Sequence, residues 1–320
     1  PHARHPGAGR LTGMAQADTL RRFLFERYPF RGQLVHLGPA WQAMMEHHDY
    51  PAQVRDSLGE AVVAAALLSS TLKYDGLLSL QLRGEGPMHL MLVECTDGLA
   101  MRAVARFRDP PDTRDLRLLS GNGTLTVTVE SGDATNRYQG IVPLAGDSMG
   151  DCLRAYFEHS EQLPTRLWLR ADGDSASGLL LQRLPVTARP RGVTESGPGG
   201  VSEEEIEDAW RRVQLVADTV TADELAQLED RELLRRLFAE DDVRMFQSAP
   251  VFFRCRCSHE RVGNMLKALG RVEVESVLEE FGQVEVRCEF CSRAYRYDAV
   301  DCAVLFAGEA HARTGGSGMH

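Results

Sequence analysis

Two closely spaced pairs of cysteines, near the C-terminal end of the chain, constrain its fold and function more than any other feature. Cys255 and Cys257 form a CxC pair, and after 30 intervening residues Cys288 and Cys291 form a CxxC pair. Zinc binds four thiolates tetrahedrally at about 2.3 Å, and each short-spaced pair can supply one edge of that tetrahedron. The spacing therefore predicts that these four residues bind one Zn²⁺ per chain.

The same spacing permits oxidation of the cysteines. Residues two apart on an extended strand have Cα atoms roughly 6.6 Å apart, which is near the upper limit for a disulfide. Short loops also close most readily. We therefore predict that oxidation forms the disulfides Cys255–Cys257 and Cys288–Cys291, and that zinc is then lost because only thiolates bind it. A purely structural zinc site is the main alternative.

Composition favours a cytoplasmic protein. The chain has 320 residues, of which 43% are hydrophobic and 26% charged, as in soluble proteins of two domains. No apolar run reaches the length of a membrane span, and residues 1–20 lack the apolar core of a signal peptide. Seven cysteines, four of them clustered, suit a reducing compartment. We expect a cytoplasmic location and no membrane partner.

The other cysteines and several histidines are poor candidates for metal ligands, because none has a partner at ligand spacing. The cysteines predicted to be structural are Cys95, Cys152 and Cys302. The histidines interpreted as surface or packing residues are His36, His47 and His48.

The order of the predicted elements indicates an α+β protein in three parts. A mixed N-terminal domain of sheet and helices precedes a helical linker and a small zinc-binding α+β domain. The stretch from Pro185 to Gly200 is rich in Pro and Gly, which is typical of a linker. The predicted bounds are 1–17 for a flexible extension, 18–184 for the N-terminal domain, 185–250 for the linker, 251–306 for the zinc domain and 307–320 for a tail.

The clearest predicted element of the N-terminal domain is a helix over 51–73. Its apolar residues recur every three or four positions, and the run Ala61–Leu68 is apolar on all sides, so deep burial is expected. Glycine-containing turns separate the predicted strands. Strands are predicted at 77–83, 87–94, 99–107, 124–130 and 136–142, with two more within 165–184, one or two within 19–49, and a helix over 148–162.

The predicted linker and the predicted zinc domain differ in net charge. Residues 201–250 carry 14 acidic and 6 basic side chains, and residues 203–246 are predicted to form helices with apolar stripes, which need a surface to pack on. Residues 251–306 carry 9 acidic and 8 basic side chains. A zinc-ribbon nucleic-acid binder would present a basic surface, so this alternative is disfavoured and no nucleic-acid partner is expected.

A thiol–disulfide oxidoreductase that uses Cys288 and Cys291 is a further alternative. A redox-active CxxC is expected at the start of a helix near a βαβ unit. Here strands are predicted on both sides of the motif, at 283–287 and 293–297, and no glycine-rich nucleotide-binding motif opens a helix. The sequence therefore favours a protein that is not an enzyme.

The size of the predicted zinc domain suggests a consequence of oxidation. A domain of about 56 residues buries little apolar surface and often needs a metal. A structural zinc contributes ~10–16 kcal/mol in small zinc modules, which exceeds the ~5–15 kcal/mol of a typical domain. Oxidation should therefore unfold this domain, deprive the acidic helices of a packing partner and expose their stripes, which would bind exposed apolar surface on other proteins.

Several segments together resemble the heat-shock protein 33 family, over nearly the whole chain from about Asp18 to Phe306. Ser177-Gly178 is a departure, at a turn where the family tends to have two glycines. The segments that carry the resemblance are Leu58–Ala61 (LGEA), Leu80–Pro87 (LQLRGEGP), Tyr138–Leu144 (YQGIVPL), Tyr156–Thr165 (YFEHSEQLPT), Cys255–Ser258 (CRCS) and Cys288–Cys291 (CEFC).

The resemblance implies a redox-regulated holdase chaperone of the bacterial cytosol. Reduced and zinc-bound, such a protein is inactive. Peroxide or hypochlorite, together with mild unfolding stress, forms disulfides and releases zinc. The linker then becomes disordered, and the active form, a homodimer, holds unfolding client proteins without ATP.

The apolar stripes of the linker are the predicted client-binding surface. They need a docking surface to stay ordered, and the negative charge around them would keep the segment soluble once it is released. The alternative is that clients bind only the N-terminal sheet and the linker is a lid. The residues predicted to bind clients are Ile206, Trp210, Val213, Leu233, Leu237 and Phe238.

Overall fold

The fold is known from a computed structural model, which describes residues 18–72, 74–131, 137–142, 144, 146–185 and 201–314, without the side chains of 159 and 308–314. Contacts divide the chain into one unit that ends at Phe253 and a second that begins at Arg254. The predicted N-terminal extension, the Pro/Gly-rich stretch 186–200 and the last six residues of the predicted tail lie outside the described residues. No helix among the described residues is long and apolar enough to span a membrane.

The first unit contains a sheet, here called sheet A, whose described strands follow the order β10-β1-β2-β9-β8, with β11 also paired to β1. All of these pairings are antiparallel. The strands are β1 (Thr19–Phe25), β2 (Phe30–Leu37), β8 (Thr165–Ala171), β9 (Ala176–Arg183), β10 (Val243–Met245) and β11 (Ala249–Pro250).

The second sheet of this unit, sheet B, has the described order β12-β5-β4-β3-β6-β7. Only the short strand β12 runs parallel to its neighbour within this described sheet. The strands are β3 (Gly76–Arg83), β4 (Met88–Thr96), β5 (Ala100–Phe107), β6 (Thr124–Ser131), β7 (Arg137–Val142) and β12 (Phe252–Phe253).

Helix α2 (Ala52–Thr71) packs between the two sheets, and the prediction of its deep burial is confirmed. Every residue from Ala61 to Leu68 is fully buried. The helix also approaches sheet A closely, because a Cβ built on Gly59 would lie 2.3 Å from Cβ of Ala171. The absence of a side chain at Gly59 therefore positions the central helix against strand β8.

Most of the N-terminal elements agree with their predicted positions, and the α+β class is confirmed. Residues 19–49 contain two strands, β1 and β2, and also a short helix α1 (Pro39–Met45) that was not predicted. Another short helix, α3 (Leu116–Ser120), was missed as well. The helix predicted over 148–162 is α4 (Met149–Tyr156), capped by Ser148 and continued by a π-helical turn.

The linker contains three helices, and the prediction of helix throughout 203–246 is wrong at its end. Capping boxes at Ser202 and Thr221 open the first two helices. After the third helix, residues 243–245 instead form β10, because pairing with β1 satisfies their backbone groups at the edge of sheet A. The helices are α5 (Glu203–Ala217), α6 (Ala222–Gln227) and α7 (Asp230–Leu237).

The second unit combines helices with a two-stranded hairpin, as predicted for the zinc domain. Its apolar cluster contains Tyr297 and Phe306 and is built from both helices and strands. Ser258 caps the first helix, as predicted. The elements are α8 (His259–Leu269), α9 (Arg271–Phe281), β13 (Val284–Arg287), β14 (Ala294–Tyr297) and α10 (Ala299–Thr314).

Candidate metal centre

The four predicted ligands lie in two loops of the second unit. Cys255 and Cys257 precede α8, and Cys288 and Cys291 lie in the turn that joins β13 to β14. The hairpin turn is closed by a hydrogen bond from the backbone N–H of Cys288 to the carbonyl of Arg293, 2.9 Å long. The CxxC motif is therefore in a strand–turn–strand unit, as predicted, rather than at the helix start expected of a thiol–disulfide oxidoreductase.

The four sulfur atoms form a compact cluster that fits a tetrahedral metal ion. They all lie within 4.8 Å of one another. Sγ of Cys255 lies 3.6 Å from Sγ of Cys288, and Sγ of Cys257 lies 3.4 Å from Sγ of Cys291. A tetrahedron with Zn–S bonds of about 2.3 Å has edges of about 3.8 Å. Four thiols at these separations could hold one metal ion, and four sulfur ligands are compatible with zinc.

The electrostatics of the cluster also favour a bound cation. Burial opposes ionisation of Cys255, but the backbone N–H of Cys257 and the neighbouring thiols lower its pKa to about 7. Burial raises the pKa of Cys291 to about 12, and hydrogen bonds with the surrounding thiols act in the same direction. Four thiolates this close together therefore need a compensating positive charge, which a divalent metal supplies.

Hydrogen bonds surround the sulfur atoms. Backbone N–H groups of Phe290 and Cys291 point at Cys288, and that of Arg293 points at Cys291. The side chain of Tyr295 donates to Sγ of Cys257 over 3.0 Å. Sequence reasoning missed Tyr295, because it lies 38 residues from Cys257 along the chain and only the folded structure brings the two side chains together.

All seven cysteines are free thiols in this structure. Its two short sulfur contacts each join one residue of the CxC pair to one of the CxxC pair. Since all four sulfurs of the cluster lie within 4.8 Å of one another, this geometry does not select a disulfide pairing. The pairings Cys255–Cys257 and Cys288–Cys291 stay predictions.

The remaining cysteines lie apart from this cluster. Cys95 on β4 and Cys152 on α4 belong to the core of the first unit, and Cys302 on α10 belongs to that of the second. Of the three histidines, His36 is buried and its Nε2 lies 3.0 Å from Oδ1 of Asp230. His36 is therefore a packing residue, although one that also pairs with the linker.

The linker stripes pack on the face of sheet A that is turned away from α2. The aromatic rings interlock across this contact: Trp210 lies 5.1 Å from Phe30, and Phe238 lies 5.1 Å from Phe25, between ring centroids. All six residues predicted to bind clients are buried in one apolar cluster with this sheet. The sheet residues of the cluster are Phe23, Phe25, Phe30, Leu34, Leu179 and Leu181.

Sequence reasoning missed these sheet residues, although one signal was present. The run Leu179-Leu180-Leu181 is continuous, and successive side chains on a strand point to opposite faces. Leu180 packs on the α2 side, whereas Leu179 and Leu181 pack on the linker side. A continuous apolar strand indicates a sheet that is covered on both faces.

Ion pairs surround this apolar contact. Asp230, at the start of α7, pairs with Arg21 and His36 of sheet A. Burial alone would raise the pKa of Asp230, but hydrogen bonds from these two residues lower it below its ordinary value. Arg183 of β9 pairs with two glutamates of α5, Glu203 and Glu207. The acidic linker is thus matched by basic groups on the sheet.

Comparisons with known proteins agree with this architecture. Residues 18–298 match the family model described as Hsp33 protein. Proteins named 33 kDa chaperonin are similar over almost the whole chain. The one from Methylobacillus flagellatus is 41% identical, over 92% of this chain and 97% of that protein. The one from Ectopseudomonas mendocina is 44% identical, over 91% of this chain and 96% of that protein.

A solved structure shows the same fold. The crystal structure of a 33 kDa chaperonin (heat shock protein 33 homolog) from Thermotoga maritima superposes with a TM-score of 0.76. The alignment covers 92% of this chain and 99% of the other, at 20% sequence identity.

Proposed function

The chain belongs to the Hsp33 family and is a chaperonin of the 33 kDa type, and from this premise we propose that it is a redox-regulated holdase that works without ATP. One observation carries the proposal. The four-thiol cluster lies in a unit with a small core, while the apolar stripes of the linker are covered by sheet A. The protein thus holds both an oxidisable four-thiol cluster and a masked apolar surface.

In the reduced state, the masked surface explains why the protein would be inactive. Trp210, Val213 and Leu233 are at most 5% exposed, and a client cannot reach them while the linker is docked. The bound zinc would supply only structural stability, by joining the two loops that carry the cysteines. The four cysteines would hold it as thiolates, one ion per chain.

Oxidation would remove these ligands. Each disulfide forms when two thiols lose two electrons and two protons, and one hydrogen peroxide takes them up to give two water molecules. The disulfides Cys255–Cys257 and Cys288–Cys291 therefore consume two peroxides and release the zinc. Without the metal, the small core of the second unit would be too weak to keep it folded.

The chain itself connects this event to the linker. Only Arg254 separates β12 from Cys255, and β12, β11 and β10 lead back to α7. Strands β11 and β12 have two residues each, so their pairing is weak. Unfolding that begins at Arg254 would therefore spread into the short strands. It would then loosen the edge of sheet A, where β10 of the linker pairs with β1.

Undocking would uncover two apolar surfaces at once. One consists of the linker residues Ile206, Trp210, Val213, Leu233, Leu237 and Phe238, and the other of their partners on sheet A. We place client binding on the linker surface, because its negative charge keeps it soluble when exposed. The active form would be a homodimer, and a cytoplasmic location would suit a cluster that must start reduced.

A double variant tests the client surface. Trp210→Ser with Leu237→Ser should lower the capacity to hold a thermally unfolding client after full oxidation with peroxide. The measurement is light scattering of client aggregation, with reduced and oxidised protein compared at equal concentration. Wild-type protein should hold clients only after oxidation.

The matched control is Phe30→Ser, which removes the sheet-side partner of Trp210 from the same contact. If the linker is the client surface, the control should retain more holding when oxidised than the double variant does. Full activity of the reduced double variant would instead show that the linker is only a lid. Wild-type protein that stays inactive after losing zinc and thiols would contradict the proposed function itself.

A further inference from the structure

The phenol of Tyr295 connects the two halves of the metal centre. Its hydroxyl donates to Sγ of Cys257 over 3.0 Å. Tyr295 lies on β14, directly after the CxxC turn, whereas Cys257 belongs to the CxC pair 38 residues earlier. This hydrogen bond therefore links the CxxC hairpin to a sulfur of the other pair through the protein's own side chains.

The position of the phenol is fixed by its surroundings. Tyr295 pairs with Val286 across the hairpin and is only 8% exposed, within the core of the second unit. A phenol has one proton to donate, and here it points at the sulfur of Cys257.

The donor to Cys257 differs in kind from the donors to other sulfurs of the cluster. Cys288 and Cys291 receive hydrogen bonds from backbone N–H groups, which every residue except proline provides. At Cys257 the donor is a side-chain hydroxyl. Its contribution therefore depends on the residue at position 295 and can be removed by deleting a single oxygen atom.

Given the proposed function, in which four thiolates bind metal until they are oxidised, we propose that Tyr295 is a positioning residue that strengthens metal binding by Cys257 and slows its oxidation. A group that hydrogen-bonds a metal ligand fixes its orientation and tunes its affinity. A hydrogen bond to a thiolate also stabilises its charge and makes it a weaker nucleophile. Both effects favour the reduced, metal-bound state.

Oxidation of Cys257 to a disulfide takes two steps, and the hydrogen bond from Tyr295 affects the first. The thiolate of Cys257 attacks one oxygen of hydrogen peroxide, the O–O bond breaks, and a sulfenic acid and hydroxide are formed. A second thiol then displaces the sulfenic oxygen, which leaves as water, and the disulfide is complete. The phenol donates to the attacking sulfur, so it acts on the first of these two steps.

The test is Tyr295→Phe, which keeps the ring and removes the hydroxyl. We expect the zinc dissociation constant of the reduced protein to rise about 10-fold, measured by competition with a chelator. Cys257 should react several-fold faster with peroxide, as measured by alkylation and mass spectrometry. In cobalt-substituted protein, the sulfur-to-metal charge-transfer band should move to longer wavelength, which a merely structural role would not cause.

The control is Tyr297→Phe, because Tyr297 lies on the same strand and is buried, but donates over 2.6 Å to the carbonyl of His259 instead of to sulfur. It should leave the cobalt spectrum and the reactivity of Cys257 unchanged. An equal effect of both variants, or none from Tyr295→Phe while wild-type protein binds zinc and oxidises, would overturn the role of Tyr295 alone. Wild-type protein that binds no zinc would overturn the proposed function as well.

Discussion

The two units of the protein differ sharply in how they are held together. In the first unit, 40 described residues form one core around α2 and between two sheets. In the second unit, the described core has eight buried residues, among them Val274, Tyr297 and Phe306. Since the hydrophobic effect scales with the apolar area buried, the first unit can be stable by itself, whereas we expect the second to depend on a metal at its thiol cluster.

This difference suggests why a redox switch would be built into the second unit. Loss of one metal ion has little effect on a domain with a large core, but it removes most of the stability of a small one. The contact that holds the linker is intermediate in size between these two cores. It consists of 16 buried residues shared with sheet A and of ion pairs such as Arg21–Asp230.

Removal of the metal should produce the largest difference in stability between the two units. Chelation of zinc from the reduced protein should cost the second unit ~10–16 kcal/mol, because that is what the metal contributes in small zinc modules. Amides after Arg254 should lose protection from hydrogen exchange, while those of α2 keep theirs. Equal protection of both units after chelation would contradict a metal-dependent second unit.

The next largest effect is expected at Asp230, which pairs with Arg21 and His36 under the linker. Asp230→Ala should weaken linker docking by roughly 3 kcal/mol, since breaking a buried ion pair leaves its partners unpaired. Two measurements would show the weaker docking: faster hydrogen exchange in α7, and partial client holding by the reduced variant. The control is Asp208→Ala, which removes an exposed pair with Arg211 and should change docking by less than about 0.5 kcal/mol.

The same pair gives the linker a pH dependence. Its hydrogen bonds lower the pKa of Asp230 in the folded state, so their contribution is complete above the unfolded pKa, near 4. This contribution is lost as the pH falls through the lower pKa that Asp230 has in the folded state. Exchange in α7 should therefore accelerate below about pH 4 in the wild type. In Asp230→Ala this acceleration should be much weaker, and an unchanged acid response of the variant would argue against Asp230 as its source.

In the first unit we expect a smaller pH effect, in which stability falls as the pH rises. Burial raises the pKa of Glu60 on α2 to about 7, although Arg114 partly offsets this. Folding therefore favours the protonated acid, and the first unit should lose stability as the pH rises from about 4.5 to about 7, by about 2 kcal/mol between pH 5.5 and 8.5. Denaturant unfolding at pH 5.5 and 8.5 should show Glu60→Gln to be the more stable protein only at the higher pH. The same stability difference at both values would count against a half-buried, protonated Glu60.

The smallest effect is expected at Cys302, a buried thiol of the second unit that lies outside the cluster. Cys302→Ser places a hydroxyl among apolar groups and should cost about 1–2 kcal/mol. Stoichiometric zinc should be retained, as measured by metal analysis after gel filtration. Cys288→Ser with Cys291→Ser should instead abolish tight binding, and stoichiometric tight zinc in that variant would refute the assigned ligands.

Local patterns predicted most of the elements but not their ends. The 51–73 helix was predicted because eight consecutive apolar residues from Ala61 to Leu68 leave a helix no polar face. By contrast, β10 and α1 are short, and β10 is stabilised by its pairing with β1 rather than by its own residues. Short segments are thus decided by their neighbours in space, which no local pattern reveals.

The sequence by itself determined the four-cysteine cluster, because the spacing of the pairs is enough to indicate a tetrahedral metal site. It also determined that the linker has an apolar face, since period-3.6 stripes show which side chains must be buried. Only the tertiary structure decided that this face packs on Phe25, Phe30 and other residues of sheet A, and that Tyr295 reaches Cys257. The hydrophobic effect is non-directional, so a stripe indicates that a surface must be covered without indicating by what.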